Sequence, residues 1–263
     1  MADVESWKRW RRNREDSLAS EYGWLTLTSF QWLPAAPGRI DLFPGLWSVD
    51  GGAAVLEAAA PEGIVEHDGG ASTEPDVPLV GTHHRSLGEG ESLLWVRHGS
   101  TVVELGLRDA RYMVRTRERR TTALDDFGGV PTFPHDAAWV VSGRFEPADR
   151  PRRVGIATYR DDTRLTATAV GEVVFEIEDR EHRLTAVAGG SGELILSFHD
   201  QTNGVTTPAW RFLTAAPAAD GTVVLDFNRT LDYPFVFTPH AVCPAPVDGN
   251  RLDLSVTAGE QLP

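Results

Sequence analysis

Between His199 and Glu260 the chain carries side chains able to bind a small polar molecule and move protons on it. Asp200, Asp226 and Glu260 are carboxylates suited to general-base work, and His199 titrates near neutral pH as an acid or a base. Arg211 supplies a fixed cation, while Thr202, Asn228 and Asn250 supply hydroxyl and amide groups that orient a ligand. Gathered at one end of a β domain, these residues form a polar patch. In that arrangement Asp200 and Arg211 organise the site, and Asp226, Asn228 and Glu260 contact substrate.

Strand alternation orients several of them. In Glu193–Asp200 the residues Leu194, Leu196 and Phe198 share a face with Asp200, leaving Ser197 and His199 on the other. In Thr222–Asn228 the apolar face is Val223, Leu225 and Phe227, so Asp226 and Asn228 lie opposite with Val224. A carboxylate on an apolar face must be paired, hydrogen-bonded or protonated. For Asp200 the partner is Arg211, or Thr202 through an Asx-type turn. An internal Asp–Arg pair that fixes the fold is therefore an alternative to a ligand-contacting one.

Other constellations point elsewhere. The eight histidines show neither His-x-His nor His-Glu-x-x-His spacing, and the adjacent His83 and His84 would face opposite sides of a strand, so no metal site is expected. Gly189-Gly190-Ser191-Gly192-Glu193 falls one glycine short of a nucleophile elbow and reads as a hairpin turn. Neither a phosphate-binding Walker loop nor a dinucleotide fingerprint occurs, and no cofactor is implied. Cys243, the single cysteine, precedes a proline and reads as a small packing residue, with a nucleophile assisted by His240 or His199 as the alternative. Arg111, Arg115, Arg117 and Arg119 share one strand face; they form either an anion-binding surface or a solvated face paired with nearby carboxylates.

The elements that must position these groups are mostly strands. Short β-type runs separated by Gly, Asp, Asn or Pro clusters continue from Leu93 to Thr257 with no alternating helices. The pattern predicts a mostly β fold, an antiparallel barrel-like or sandwich domain. One helix precedes it, capped by Asp3, running to about Ser20 and placing Trp7, Trp10 and Leu18 near helical spacing. Residues 1–22 are expected to cap the β structure with their tryptophans, and no linker divides residues 1–263, which read as one domain. Residues 59–74 read as an exposed hairpin region.

Composition narrows the partners. A net charge of −13 argues against nucleic acid and anionic membranes. One cysteine excludes an intramolecular disulfide, and the charged N-terminus has no secretory apolar core, so a cytoplasmic location is expected. No run approaches the length of a membrane helix.

Several motifs in order carry a family resemblance. They are His199-Asp200-Gln201-Thr202-Asn203-Gly204, Arg211-Phe212-Leu213, Leu225-Asp226-Phe227-Asn228, Cys243-Pro244-Ala245-Pro246, Asn250-Arg251-Leu252 and Ala258-Gly259-Glu260. With Trp7-Lys8-Arg9-Trp10-Arg11, Gly23-Trp24-Leu25, Trp32-Leu33, Phe127-Gly128-Gly129 and Phe133-Pro134, the series resembles the bacterial and archaeal family catalogued as domain of unknown function 1684. The resemblance brings no activity with it. The chain departs from the family pattern at Thr206–Trp210 and at Asp232-Tyr233-Pro234-Phe235, which implies altered chemistry or another ligand if a site involves those positions.

Taken together, the expected function is small-molecule binding by a β domain, with cofactor-free acid–base catalysis on a polar or anionic molecule as its enzymatic form. The alternatives are a non-enzymatic carrier or sensor, and a structural protein whose tryptophan-rich N-terminus packs against a second copy in a homodimer.

Overall fold

A computed structural model of the chain describes residues 4–69, 76–217 and 219–263. The expected cap Asp3 and the end of the 59–74 region lie outside the described residues. The chain divides into two compact units, one formed by Ser17–Phe127 and the other by residues 1–16 with Gly128–Pro263.

The N-terminal unit holds strands β1 (Leu27–Trp32), β2 (Gly38–Ile40), β3 (Phe43–Asp50), β4 (Ala53–Ala58), β5 (Val65–Glu66), β6 (Gly81–Arg85), β7 (Ser92–His98), β8 (Thr101–Arg108) and β9 (Arg111–Arg117). They form a five-stranded sheet, β1-β9-β8-β7-β5, and a four-stranded sheet, β2-β3-β4-β6, both antiparallel. Side chains from both sheets meet in one apolar cluster around Trp47 and Trp95, whose rings pack edge to face at 5.6 Å. This is a sandwich-like arrangement.

Arginines of the run do pair with carboxylates, but two of them are buried rather than solvated. Arg115 and Arg117 of β9 are buried, and both pair with the buried Glu104 of β8. Burial alone would favour a neutral Glu104, yet the two guanidiniums hold its carboxyl below the usual range. Arg117 also donates to the carbonyls of Tyr22 and Gly23 at 2.7 and 2.6 Å, so these cations fasten the unit internally. Arg111 lies 3.9 Å over the Trp32 ring, and Arg119 pairs with Glu21 at 2.9 Å.

The C-terminal unit is one seven-stranded antiparallel sheet ordered β15-β10-β11-β12-β13-β14-β16. Its strands are β10 (Val140–Ala157), β11 (Arg164–Ile177), β12 (Arg180–Ala188), β13 (Leu194–Phe198), β14 (Arg211–Ala215), β15 (Thr222–Asp226) and β16 (Leu231–Asp232). The long strand β10 pairs with β11 through a register that shifts between Pro147 and Arg152. Gly189–Glu193 is the expected turn, closed by a bond from the Gly189 N–H to the Glu193 carbonyl. One face of the sheet packs on a core that includes Phe175, Leu196, Phe198, Leu225 and Phe227, closed by Leu252, Leu254 and Val256.

The barrel half of the expectation is corrected: among the described residues β15 and β16 end the sheet unpaired with each other, so it wraps its core without closing.

Helix α1 (Val4–Leu18) belongs to this unit as far as Asp16. Its indole Trp7 is buried, donates to the Asn228 carbonyl at 2.9 Å and packs edge-on against His135. Arg11 donates to the Val130 carbonyl at 2.7 Å. A short second helix, α2 (Thr122–Asp125), is capped by the Thr121 hydroxyl. No helix among the described residues is long and apolar enough to cross a membrane.

Candidate functional site

Two places in the C-terminal unit draw its polar residues together, a buried ionic node and a groove on the outer face of the sheet. The node contains four of the sequence-selected residues. Asp200 follows β13 on its apolar face, as strand alternation predicts, and is buried. Its Oδ2 accepts from Arg211 Nη2 at 2.8 Å, and its Oδ1 accepts from the Thr202 N–H at 2.6 Å and from the Thr202 hydroxyl. Arg211, fully enclosed, also donates to the carbonyls of Val256, Ala258 and Glu260. Glu260 Oε2 accepts from the Asp232 N–H at 2.7 Å, and its Oε1 accepts from Arg14 of α1 at 3.2 Å.

Gly259 makes this packing feasible. Its φ is +80°, and a Cβ there would stand 2.6 Å from the Thr230 carbonyl oxygen. With no side chain, the segment approaches closely enough for the Glu260 N–H to reach that same oxygen at 2.9 Å.

Asp232 and Arg14 belong to the node although sequence reasoning did not select them. Arg211 and Asp232 are directly opposed across β14 and β16. Asp232 is fully buried, and neither carboxylate oxygen has a hydrogen-bond partner among the described residues. Its pKa is pushed up to about 7, chiefly by burial and further by Glu260, against the pull of Arg211 and Arg14. Burial likewise raises Glu260. The signal for Asp232 lay in the departure segment Asp232-Tyr233-Pro234-Phe235; nothing local in the helix marked Arg14.

The remaining candidates are spread apart and engaged. Asp226 caps the turn after β15 and accepts from the Asn228 N–H and side-chain amide and from Arg229. Asn228 is buried and exchanges hydrogen bonds with the backbone N–H and carbonyl of Asp136, both at 2.9 Å. The ring of His199 bonds the Ala209 carbonyl at 2.9 Å, and its backbone pairs with Asn250 and Leu252. Asn250 takes the place of a strand neighbour: Oδ1 accepts from the Thr185 N–H, and the amide donates to the carbonyls of Thr185 and Ser197.

Asn250 thereby anchors one end of the segment Cys243–Asn250. The other end is held where the Ala245 N–H bonds the Ala157 carbonyl at 2.8 Å and the Tyr159 N–H bonds the Cys243 carbonyl at 2.9 Å. Between its anchors this segment walls a groove of about 330 Å³ on the face of the sheet turned away from the core. Leu165, Ala167, Val187 and Ile195 line it from β11, β12 and β13, with Val247 from the wall. Ser197, the side chain that alternation places opposite Leu196 and Phe198, lines it too and bonds the Tyr233 hydroxyl at 2.7 Å. Cys243 is buried, as a packing residue should be.

A larger hollow of about 490 Å³ lies in the N-terminal unit, lined among others by Tyr22, His67, Arg97 and Arg119. Its arginines are already matched to its acids, Arg97 to Asp76 and Arg119 to Glu21. The outer-face groove, by contrast, presents apolar surface around a few polar groups, the usual make-up of a ligand site.

The C-terminal unit is thus a mostly β protein of the open antiparallel-sheet class with a lined groove outside its core. The family model described as "Protein of unknown function (DUF1684)" matches residues 125–261, just over half of the chain, and the chain belongs to that family. The motifs at Trp7–Arg11, Gly23–Leu25 and Trp32-Leu33 fall outside the matched residues. The chain is similar to the uncharacterized protein from gene locus rrnAC0354 of Haloarcula marismortui, whose solution NMR structure aligns with a TM-score of 0.44 and 28% identity, covering 52% of this chain and 78% of that one. No curated protein matches.

Proposed function

We propose that the protein binds a small, largely apolar molecule in the outer-face groove of its C-terminal unit. The observation that carries this reading is the groove itself, where Leu165, Val187, Ile195 and Val247 remain partly exposed around a space of about 330 Å³. Leaving such surface in water costs about 25 cal/mol per Å² relative to covering it, so an apolar ligand gains by filling it. The polar or anionic ligand expected from the sequence has less support here, because Asp200, Asn228, Asn250 and both terminal nitrogens of Arg211 are hydrogen-bonded within the protein. Tyr233 is the titratable group on the wall. Burial pushes its phenol up to about 12, which makes it a hydrogen-bond donor near neutral pH rather than a base. That favours a carrier or sensor over acid–base catalysis at this site.

The test is titration with N-phenyl-1-naphthylamine, a neutral probe whose fluorescence rises in apolar surroundings. Saturable binding is expected in the wild type. Val187→Trp, which fills the groove from β12, should weaken it at least about tenfold with little change in the melting temperature. Equal binding by the two proteins would place the probe elsewhere and defeat the proposal.

A further inference from the structure

The Ser197–Tyr233 pair narrows the ligand class. Each hydroxyl brings one proton, and their mutual bond consumes one of the two. Both residues are buried, and among the described residues neither side chain makes another hydrogen bond to the protein. One hydroxyl proton is therefore left over at a point that lines the groove. Thr166 and Thr168 also line it but are exposed, so water competes for their hydroxyls. The Asn250 amide has both protons committed to carbonyls. A buried donor without an acceptor costs free energy that a ligand oxygen recovers.

We infer that the groove takes an apolar molecule bearing a hydrogen-bond-accepting oxygen, a ketone, aldehyde or ester carbonyl, held by the spare proton of the Ser197–Tyr233 pair. This rests on the groove being a binding site, the reading proposed above. The phenol keeps its proton well beyond neutrality, with burial as the main cause, so carbonyl binding should stay level from about pH 6 to about pH 9. The ligand is bound and oriented; no bond is made or broken.

The experiment compares acetophenone with α-methylstyrene, which differ by an oxygen in place of a methylene, as displacers of N-phenyl-1-naphthylamine. Removing both hydroxyls in Ser197→Ala/Tyr233→Phe should weaken acetophenone about fivefold to tenfold, the worth of one hydrogen bond. The hydrocarbon and the fluorescent probe should change less than about twofold. If the ketone and the hydrocarbon shift equally, the carbonyl inference is overturned while the groove remains a binding site. If the probe never binds the wild type, both readings fall. A second readout needs only the wild type: the carbonyl stretch of isotope-labelled acetophenone should move to lower frequency on binding than in an apolar solvent. An unshifted stretch overturns the inference whatever the stability of the variant.

Discussion

Asp232→Asn is expected to raise the melting temperature of the protein at about pH 8 by about 4–8 °C and to flatten its pH dependence between about pH 4 and about pH 7. The node holds three carboxylates, Asp200, Asp232 and Glu260, against two guanidiniums, Arg14 and Arg211. One negative charge has no counterpart among the described residues. Asp200 has Arg211 and Thr202, and Glu260 has Arg14 and the Asp232 N–H. Asp232, with neither oxygen hydrogen-bonded among the described residues, is the group on which a proton settles.

The sign follows from the direction of the shift. Folding lifts this carboxyl from an ordinary 3.8 to about 7. The folded state therefore binds the proton more tightly than the unfolded state does. Its contribution to stability falls as pH rises from about 4 to about 7 and stays low above that. The full shift corresponds to about 4 kcal/mol at 1.36 kcal/mol per unit. An unpartnered amide in the same place costs on the order of 1–3 kcal/mol, so the net gain from asparagine at about pH 8 is about 2 kcal/mol.

His67, in the other unit, has its pKa lowered chiefly by burial and gains stability as pH rises, the opposite trend. The difference between wild type and variant isolates Asp232. Calorimetric melting curves that stay parallel from about pH 4 to about pH 8 would show that Asp232 is not the titrating group.

How far the sequence led can be judged from these same residues. Alternation in Leu194–Phe198 correctly placed Asp200 on the buried face and Ser197 on the open one. That facing is a local inference, because period-two geometry needs only a few residues. The partner of Asp200 was left as Arg211 or Thr202, and its carboxylate accepts from both. The groove was not legible. Its wall is a loop held by Asn250 against two strands 53 and 65 residues away, and no local pattern encodes that closure. Tyr233 was visible only as a departure from a family pattern, and its hydroxyl partner comes from another strand. Arg14 lies on a helix whose charged face looks solvated, yet its guanidinium reaches the Asp232 carbonyl at 2.9 Å. Barrel and sandwich were inseparable for a similar reason. The same alternating strands suit either, and whether β15 meets β16 is a matter of curvature that residue types do not specify.

Arg211→Met should cost the protein about 3–5 kcal/mol, read from the urea midpoint at an unchanged slope. Methionine fills much of the same volume, so the loss is electrostatic rather than a cavity effect. It strips Asp200 of its only ion-pair partner among the described residues and leaves the carbonyls of Val256, Ala258 and Glu260 without the donor they share. Arg211→Lys should restore little, since one ammonium cannot reproduce a planar fork serving four acceptors. Adding Asp200→Asn to Arg211→Met should recover part of the loss by removing the stranded charge, giving a coupling of about 1–3 kcal/mol in the double-mutant cycle. Because three of the four acceptors lie on the segment that closes the core, hydrogen exchange in Arg211→Met should quicken first at residues 252–260. A loss below about 1 kcal/mol, or exchange that rises evenly across the sheet, would mean that the pair does not hold this segment in place.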